Sequence, residues 1–273
     1  MQTDFQTVDQ AREQILQMLK PVSGTRTVAI RDTLDQVLAF DILSPINVPA
    51  HDNSAMDGYA FNSADIQPAG ITSLTMVGTA YAGKAYTGVC NAGECVRIMT
   101  GAVMPAACDT VLVQENATVN GDSVSFPPGA VKAGDNRRLA GEDLMVGKPA
   151  LPAGKIIRPA DLGLLASLGI AEIAVRRKLR VAFFSTGDEL RSLGQTLDEG
   201  CVYDSNRYTL YGMLTRLRFV ELLDMGVVHD SPEALEQAML QGMEQADVII
   251  TSGGVSVGEA DFTKDVMEKL GSV

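Results

Sequence analysis

The sequence is poor in the residues that build metal clusters and disulfide frameworks. Its 273 residues include two histidines and four cysteines, which are Cys90, Cys95, Cys108 and Cys201. The cysteines form no Cys-x-x-Cys pair, so a structural zinc site is disfavoured. Cys90 and Cys95 could in principle form a disulfide, but in a reducing cytosol we expect free thiols.

Long apolar runs are also missing. No stretch approaches the roughly 18 to 20 consecutive apolar residues that cross a bilayer. The start Met1-Gln2-Thr3-Asp4 has neither the basic region nor the apolar core of a secretory signal. The formal net charge of −12 opposes binding to nucleic-acid phosphates. We expect a cytoplasmic globular protein with no membrane and no nucleic-acid partner.

The spacing of apolar residues and the frequency of Gly, Pro and Asn change along the first two thirds of the chain and divide it into regions. Apolar residues at helical spacing and a capping-box pair, Thr7 and Gln10, predict a helix over residues 7–20. A second helix is predicted over residues 32–39 from the shared apolar face of Leu34, Val37 and Leu38. From about residue 46 to 140, short apolar runs separated by Gly, Pro and Asn indicate a β-rich domain. Two turn signals in it predict hairpins: Asn120-Gly121-Asp122 and Pro127-Pro128-Gly129.

The last third alternates between strand and helix patterns. Strands are predicted at 179–185, 220–223 and 247–252, with helices at 206–217 and 232–246 between them. Such alternation is typical of parallel βαβ units. The predicted division is therefore a discontinuous domain of residues 1–45 and 141–177, an inserted β-rich domain of residues 46–140, and an α/β domain of residues 178–273. The N-terminal helix is a candidate to pack on that α/β domain.

Ligands of an open parallel sheet bind outside the carboxyl ends of its strands. The first strand is followed by Thr186-Gly187-Asp188-Glu189-Leu190, which sets two acidic side chains there. The last strand is followed by a glycine-rich turn that ends at Asp261, and its backbone N–H groups and serine hydroxyls suit a phosphate. Glu189 and Asp261 would then lie close enough to hold Mg²⁺ on that phosphate. Plain turn geometry is the alternative for the glycine-rich segment alone. The candidate ligand-binding residues of this glycine-rich turn are Ser252, Gly253, Gly254, Ser256 and Gly258.

Several further positions allow both a structural and a functional interpretation. A helix is predicted to begin at Asp204 and Asn206. One interpretation is that one of these side chains caps it, and the other is that Asn206 and the free N–H groups there contact a second phosphate or a nucleotide. The two roles are not exclusive. Asp57 suits an Asx-turn, and Thr100 suits a hydroxyl bonded to local backbone at a strand end. Asp230 belongs either to a loop or to the ligand crevice.

The run Arg137-Arg138 followed by Gly141-Glu142-Asp143 is either a solvated loop or an anion-binding edge.

Five segments, in this order and spacing, resemble the molybdopterin molybdenumtransferase (MoeA) family. They are Asn53-Ser54-Ala55-Met56-Asp57-Gly58-Tyr59-Ala60, Ile98-Met99-Thr100-Gly101-Ala102, Gly141-Glu142-Asp143, Ser185-Thr186-Gly187-Asp188-Glu189-Leu190 and Ser252-Gly253-Gly254-Val255-Ser256-Val257-Gly258. The resemblance implies a multidomain α/β and β protein. In it an elongated chain carries an inserted β-rich domain and a parallel-sheet, molybdopterin-binding-like α/β domain.

The resemblance also implies a reaction and its residues. The reaction is Mg²⁺-dependent insertion of molybdate into adenylylated molybdopterin (molybdopterin-AMP), with release of AMP. The implied catalytic positions are Asp57, Thr100, Asp143, Glu189, Asp230 and Asp261, with Glu189 and Asp261 as the metal ligands. An elongated homodimer is implied, with the cleft between the α/β domain of one subunit and the β-rich domain of the other. The molybdopterin adenylyltransferase is a candidate protein partner. Molybdate is an oxyanion that needs cationic donors, for which Arg137 or Arg138 is our hypothesis.

The family pattern continues beyond this sequence with a strand, a Lys-Pro-Gly-Lys-Pro loop and a small β domain. We therefore expect the chain to be a fragment of a longer protein. The competing function is a non-catalytic scaffold that binds peptides on the same fold. Such a groove needs exposed aromatic residues, whereas the sequence has no tryptophan and 5% aromatic residues.

Overall fold

The computed structural model describes residues 6–253 and 262–271. The chain forms two compact units. The terminal unit comprises residues 1–40 and 153–273, and the inserted unit comprises residues 41–152. The finer predicted separation of residues 141–177 from residues 178–273 stays a prediction. Within the described ranges, no helix is long and apolar enough to cross a membrane.

Five α-helices and seventeen strands are described, together with three short 3₁₀ helices. The helices are α1 (Val8–Met18), α2 (Pro159–Ser167), α3 (Asn206–Thr215), α4 (Pro232–Gln245) and α5 (Thr263–Leu270). The first nine strands are β1 (Thr25–Ala29), β2 (Ile42–Leu43), β3 (Asn53–Ser54), β4 (Gly58–Phe61), β5 (Thr72–Ala80), β6 (Glu94–Ile98), β7 (Thr110–Val113), β8 (Thr118–Asn120) and β9 (Ser123–Phe126). The others are β10 (Arg137–Arg138), β11 (Pro149–Leu151), β12 (Glu172–Arg176), β13 (Leu179–Thr186), β14 (Leu190–Arg191), β15 (Val202–Tyr203), β16 (Val220–Val228) and β17 (Val248–Ser252).

A three-stranded parallel sheet forms the centre of the terminal unit. Its order is β16-β13-β17, and both pairings are parallel, which confirms the predicted βαβ arrangement. β13 lies in the middle and is buried along Val181–Thr186, as expected for a strand covered on both faces. Phe184 packs with Leu235 and Met239 of α4 and with Val266 of α5.

The N-terminal helix follows its sequence signal, whereas the second predicted helix is wrong. The Thr7 side chain accepts from Gln10 N, and the Gln10 side chain accepts from Thr7 N, so the capping box is confirmed. Instead, a 3₁₀ helix over Ile30–Asp32 ends where the predicted helix would begin, and Asp35 in the turn that follows takes a positive φ of 61°, which no helix accommodates. Leu38 then bridges to Val175 of β12. Tertiary pairing has overridden the helical spacing of these apolar residues.

The inserted unit is β-rich, as predicted. Its six-stranded sheet has the order β7-β4-β6-β5-β9-β8, and all its pairings except β5 with β6 are antiparallel. The Asn120-Gly121-Asp122 turn joins β8 to β9, with Asn120 opposite Ser123, so this hairpin is confirmed. The second hairpin, at residues 127–129, is wrong. The strand that follows it, β10, pairs with β3 rather than with β9.

Candidate active site

Two acidic side chains leave the carboxyl end of β13, as predicted. Asp188 is 73% exposed, and its Oδ1 lies 3.4 Å from His229 Nδ1 and accepts from Asp230 N at 3.3 Å. Glu189 is also exposed. Its carboxylate folds back over Gly187, where an added Cβ would lie 2.7 Å from both carboxylate oxygens. Gly187 also has a φ of 152°, a backbone conformation that favours glycine, and its missing Cβ leaves room for this carboxylate.

A cavity of about 570 Å³ opens beside this acidic loop. It is lined by Asp188 and His229 and also by Arg191, Ser192 and Gln195. The Arg191 guanidinium donates to the backbone oxygens of Asp188 at 2.8 Å and of Leu190 at 2.9 Å. A fixed cation and a carboxylate therefore face one cavity, which suits an anionic ligand that carries a metal ion.

The second predicted loop begins beside the first. Ser252, the last residue of β17, is in register with Ser185 of β13. Gly253 follows with a φ of 109°, and a Cβ there would lie 2.5 Å from Thr186 O, so only glycine fits. The rest of the predicted loop, including Gly254, Ser256, Gly258 and Asp261, lies outside the described residues. The predicted nearness of Glu189 and Asp261 therefore stays a prediction.

Thr186 carries an unused hydroxyl at this strand end. The residue is 5% exposed, and its Oγ1 has no hydrogen-bond partner in the described part of the chain. A buried polar atom without a partner costs about 1 to 3 kcal/mol. Such an atom needs an explanation, and a ligand that accepts its hydrogen bond is one.

The start of α3 is held by a buried carboxylate. Asp204 is 2% exposed and accepts hydrogen bonds from Ser185 Oγ at 3.1 Å, Arg207 N at 3.1 Å and Arg207 Nε at 3.0 Å. Asp204 therefore caps the helix, which is the role that the sequence suggested for it. Asn206 is exposed at the first helical residue, and its contact with a ligand stays a prediction.

Arg207 extends this network to β16. Its Nη1 donates to Asp224 Oδ1 at 2.8 Å and Oδ2 at 3.0 Å. Burial opposes the charge, but the hydrogen bonds to Asp224 and Asp204 outweigh it and raise the pKa of Arg207. The guanidinium is therefore a permanent cation between two carboxylates.

In the inserted unit, Asp57 and Thr100 bind each other. Asp57 Oδ1 accepts from both Thr100 N and Thr100 Oγ1, each at 2.7 Å. The backbone hydrogen bond from Thr100, followed by its hydroxyl, lowers the pKa of Asp57. Neither local structural interpretation of these residues holds, because the contact joins the residue before β4 to a residue beyond the end of β6. The Asp57 carboxylate is therefore ionised, and Thr100 holds it in a fixed orientation.

The two arginines of the charged run lie in ion pairs. Arg137 pairs with Asp52, and its Nε to Asp52 Oδ2 distance is 2.9 Å. Arg138 Nη2 donates to Asp143 Oδ2 at 2.6 Å, and a second bond to Glu142 joins it in raising the pKa of Arg138. Both guanidinium groups are thus partly neutralised, so molybdate would have to share them with carboxylates.

Backbone pairing brings the predicted segments of the inserted unit to one edge. Gly101 N donates to Ser54 O at 2.8 Å, and Ser54 N donates to Ala102 O at 3.0 Å. On its other side, β3 pairs with Arg137 and Arg138 of β10. Two of the five segments noted in the sequence therefore meet at β3, beside the Arg137-Arg138 run.

No group of three or more His, Cys, Asp or Glu side chains that could hold a metal ion occurs in residues 6–253 and 262–271. Cys90, Cys95 and Cys108 are buried free thiols, as expected, and Cys201 is also free.

Comparison with known proteins decides the family. Residues 6–169 match the family model described as the MoeA N-terminal region (domain I and II). The chain belongs to the MoeA family. Residues 182–273 match a second model, described as a probable molybdopterin binding domain, and this match covers the acidic loop.

Relatives of this MoeA-family chain include solved structures and curated proteins. A molybdopterin molybdenumtransferase from Haemophilus influenzae is 43% identical over 98% of this chain and 65% of its own length. One from Bacillus subtilis is 32% identical over 97% of this chain and 63% of its own length. A molybdopterin biosynthesis MoeA structure from Pyrococcus horikosii has a TM-score of 0.77 at 31% identity, covering 95% of this chain and 66% of its own. The chain therefore spans less than two thirds of these relatives.

The MoeA resemblance assigned residues in both units. Glu189 and Asp230 follow neighbouring parallel strands and are linked through Asp188. Asp57 and Thr100 meet directly.

Three residues that contact the candidate site or its ion pairs were not predicted from the sequence: Arg191, Asp224 and Asp52. Arg191 directly follows the acidic motif and offered a signal. Asp224 and Asp52 offered none, because each meets its arginine only through the fold.

Proposed function

We propose that this MoeA-family chain takes part in inserting molybdate into adenylylated molybdopterin, with release of AMP, in molybdenum cofactor biosynthesis. One observation carries the proposal. The acidic loop, the Thr186 hydroxyl that lacks a partner within residues 6–253 and 262–271, and Gly253 lie at adjacent ends of parallel strands. That segment matches the probable molybdopterin binding domain, and its curated relatives are called molybdopterin molybdenumtransferases.

The proposed substrate carries a phosphoryl group that needs donors and charge compensation. Thr186 Oγ1, which is buried and has no partner among the described residues, is the proposed donor to a phosphoryl oxygen. Arg191, which lines the cavity beside the acidic loop, is the proposed cation. The exposed carboxylate of Glu189 fits Mg²⁺, which takes one or two carboxylates and keeps several waters. When bound, Mg²⁺ would supply charge compensation at the phosphoryl oxygens. Glu189, with Asp261, is the proposed metal-holding pair.

The remaining assigned residues have proposed supporting roles. Asp57, oriented by Thr100 and kept ionised, suits the acceptance of a proton or of a hydrogen bond from substrate. Asp143 and Asp230 complete the proposed acidic set. Ser252, Gly253 and Asn206 are proposed to contact the anionic substrate, as are Gly254, Ser256 and Gly258. Arg137 is proposed to assist at molybdate while it is paired with Asp52.

We further propose a cytoplasmic homodimer that receives its substrate from a molybdopterin adenylyltransferase. This proposal rests on the family resemblance. Sedimentation of the full-length protein tests it, and a monomer at working concentration would contradict it.

The central test is AMP release from adenylylated molybdopterin on addition of molybdate and Mg²⁺. Full-length protein is compared with Glu189→Gln and Asp261→Asn. Each substitution removes one metal-holding charge without changing shape, so the rate should fall roughly 100-fold or more.

The matched control is Glu199→Gln, which removes an exposed carboxylate from the segment between β14 and β15. Its rate should stay within about twofold of the unmodified protein, because surface substitutions away from such features have small effects. Normal turnover by both site variants would show that the carboxylate assignment is wrong. Absence of AMP release from the unmodified protein would reject the proposed reaction.

A further inference from the structure

A single buried arginine joins three segments around the acidic loop. The Arg207 side chain is 11% exposed and lies between Asp204, at the start of α3, and Asp224 of β16. Asp204 also accepts from Ser185 at the end of β13. A planar guanidinium with several donors holds two carboxylates in a fixed geometry, which a lysine ammonium cannot reproduce.

The first connection runs from Arg207 to the backbone of Glu189. Asp204 N donates to Arg191 O at 3.0 Å, and Val202 N donates to Glu189 O at 2.9 Å. These bonds belong to the short parallel pairing of β14 with β15, in which Leu190 faces Val202. Fixing Asp204 therefore fixes the strand that holds Glu189 in place.

The second connection runs through β16 to Asp188. Asp224 faces Phe183, but Ser185 faces Val227, so β16 carries a bulge between these pairs. Asp224 Oδ1 accepts from Gly226 N within this bulge at 3.0 Å. The strand then leads to Asp230, whose N–H donates to Asp188 Oδ1. Bulges beside active sites aim the residues that follow them.

We propose that Arg207 is a positioning residue for the acidic loop, acting on Glu189 through Asp204 and on Asp188 through Asp224. The proposal rests on the proposed function, since it assigns a role toward that same site. A misplacement of about 1 Å in catalytic groups can lower a rate about 100-fold.

Another arginine of the terminal unit provides a matched comparison. Arg177 donates to Asp247 Oδ2 at 2.6 Å and Oδ1 at 2.8 Å, so it too makes a bidentate pair. Arg177 precedes β13 and Asp247 precedes β17, so this pair lies at the opposite strand ends from the acidic loop. If the Arg207 ion pair served only stability, replacing Arg207 or Arg177 by lysine would have the same effect on the acidic loop.

The test compares Arg207→Lys with Arg177→Lys in the full-length protein. Amide hydrogen exchange is measured over residues 187–191 and 202–204, which requires no turnover. Exchange there should be roughly tenfold faster in Arg207→Lys and unchanged in Arg177→Lys. Unchanged exchange in Arg207→Lys would overturn the proposal, and this result does not depend on whether the proposed reaction is correct.

AMP release adds a second readout. Arg207→Lys should lower kcat roughly 10- to 100-fold with little change in KM. In a Glu189→Gln background the same substitution should cost much less, because the group it positions is already gone. Equal losses in both backgrounds would overturn the role toward Glu189.

If Arg207→Lys does not fold, Asp224→Asn is tested in its place. The Asp224 side chain is 40% exposed, so its substitution should destabilise the protein less. That variant should speed exchange at residues 226–230 and leave residues 202–204 unchanged. No change at 226–230 would overturn the second connection.

Discussion

Replacing Asp204 by alanine is expected to destabilise the terminal unit much more than the same change at Asp198. The Asp204 carboxylate is buried and accepts three hydrogen bonds, two of them from Arg207. Its removal leaves the Ser185 hydroxyl and two N–H groups of Arg207 short of a partner. Asp198 instead forms an exposed pair with Arg191 at 3.3 Å, and its side chain is 64% exposed.

The two magnitudes should differ clearly. Removing one member of a buried ion pair costs about 3 to 5 kcal/mol. Arg207 keeps Asp224 as a partner, so we expect about 3 kcal/mol for Asp204→Ala. An exposed pair contributes about 0 to 1 kcal/mol. For a unit of this size, about 3 kcal/mol lowers the melting temperature by roughly 6 to 12 °C.

The assay is thermal and urea unfolding followed by the helical signal of far-UV circular dichroism. All five described α-helices belong to the terminal unit, so the signal reports mainly on that unit. Equal shifts for Asp204→Ala and Asp198→Ala would refute the assignment of the Asp204 network as a buried structural anchor.

Three further outcomes are expected. Thr100→Val should raise the pKa of Asp57 toward its ordinary value of 3.8, because the hydroxyl bond is lost while the backbone bond remains; an NMR titration of the carboxyl carbon checks this, and an unchanged pKa would contradict it. Gly253→Ala should cost about 1 to 3 kcal/mol in urea unfolding, since its Cβ would meet Thr186 O; a neutral result would contradict the close approach. The pKa of Asp247 is lowered, chiefly by its hydrogen bond from Arg177, so its stabilising contribution is complete above 3.8 and is lost as pH falls below that value. Asp247→Asn should therefore flatten the acid side of the stability profile, and an unchanged profile would count against this.

Local signals in the sequence predicted a large part of the fold. The capping box of α1, the Asn120-Gly121-Asp122 hairpin and the alternation of strands and helices after residue 179 were all confirmed. Each signal depends on residues within one or two turns of chain, so the sequence contains it directly. The predicted helix over residues 32–39 failed because the extended pairing of Leu38 with Val175 involves a strand far along the chain.

The sequence alone also indicated which strand ends carry chemistry, because carboxyl ends of parallel strands share one edge. Only the tertiary structure decided how the side chains there are held. Thr100 and Asp57 are 43 residues apart, and Arg137 and Asp52 are 85 apart. Arg207 meets Asp224 only because α3 and β16 pack side by side. Ion pairs of this kind depend on burial and on chain crossings, and no local spacing encodes either.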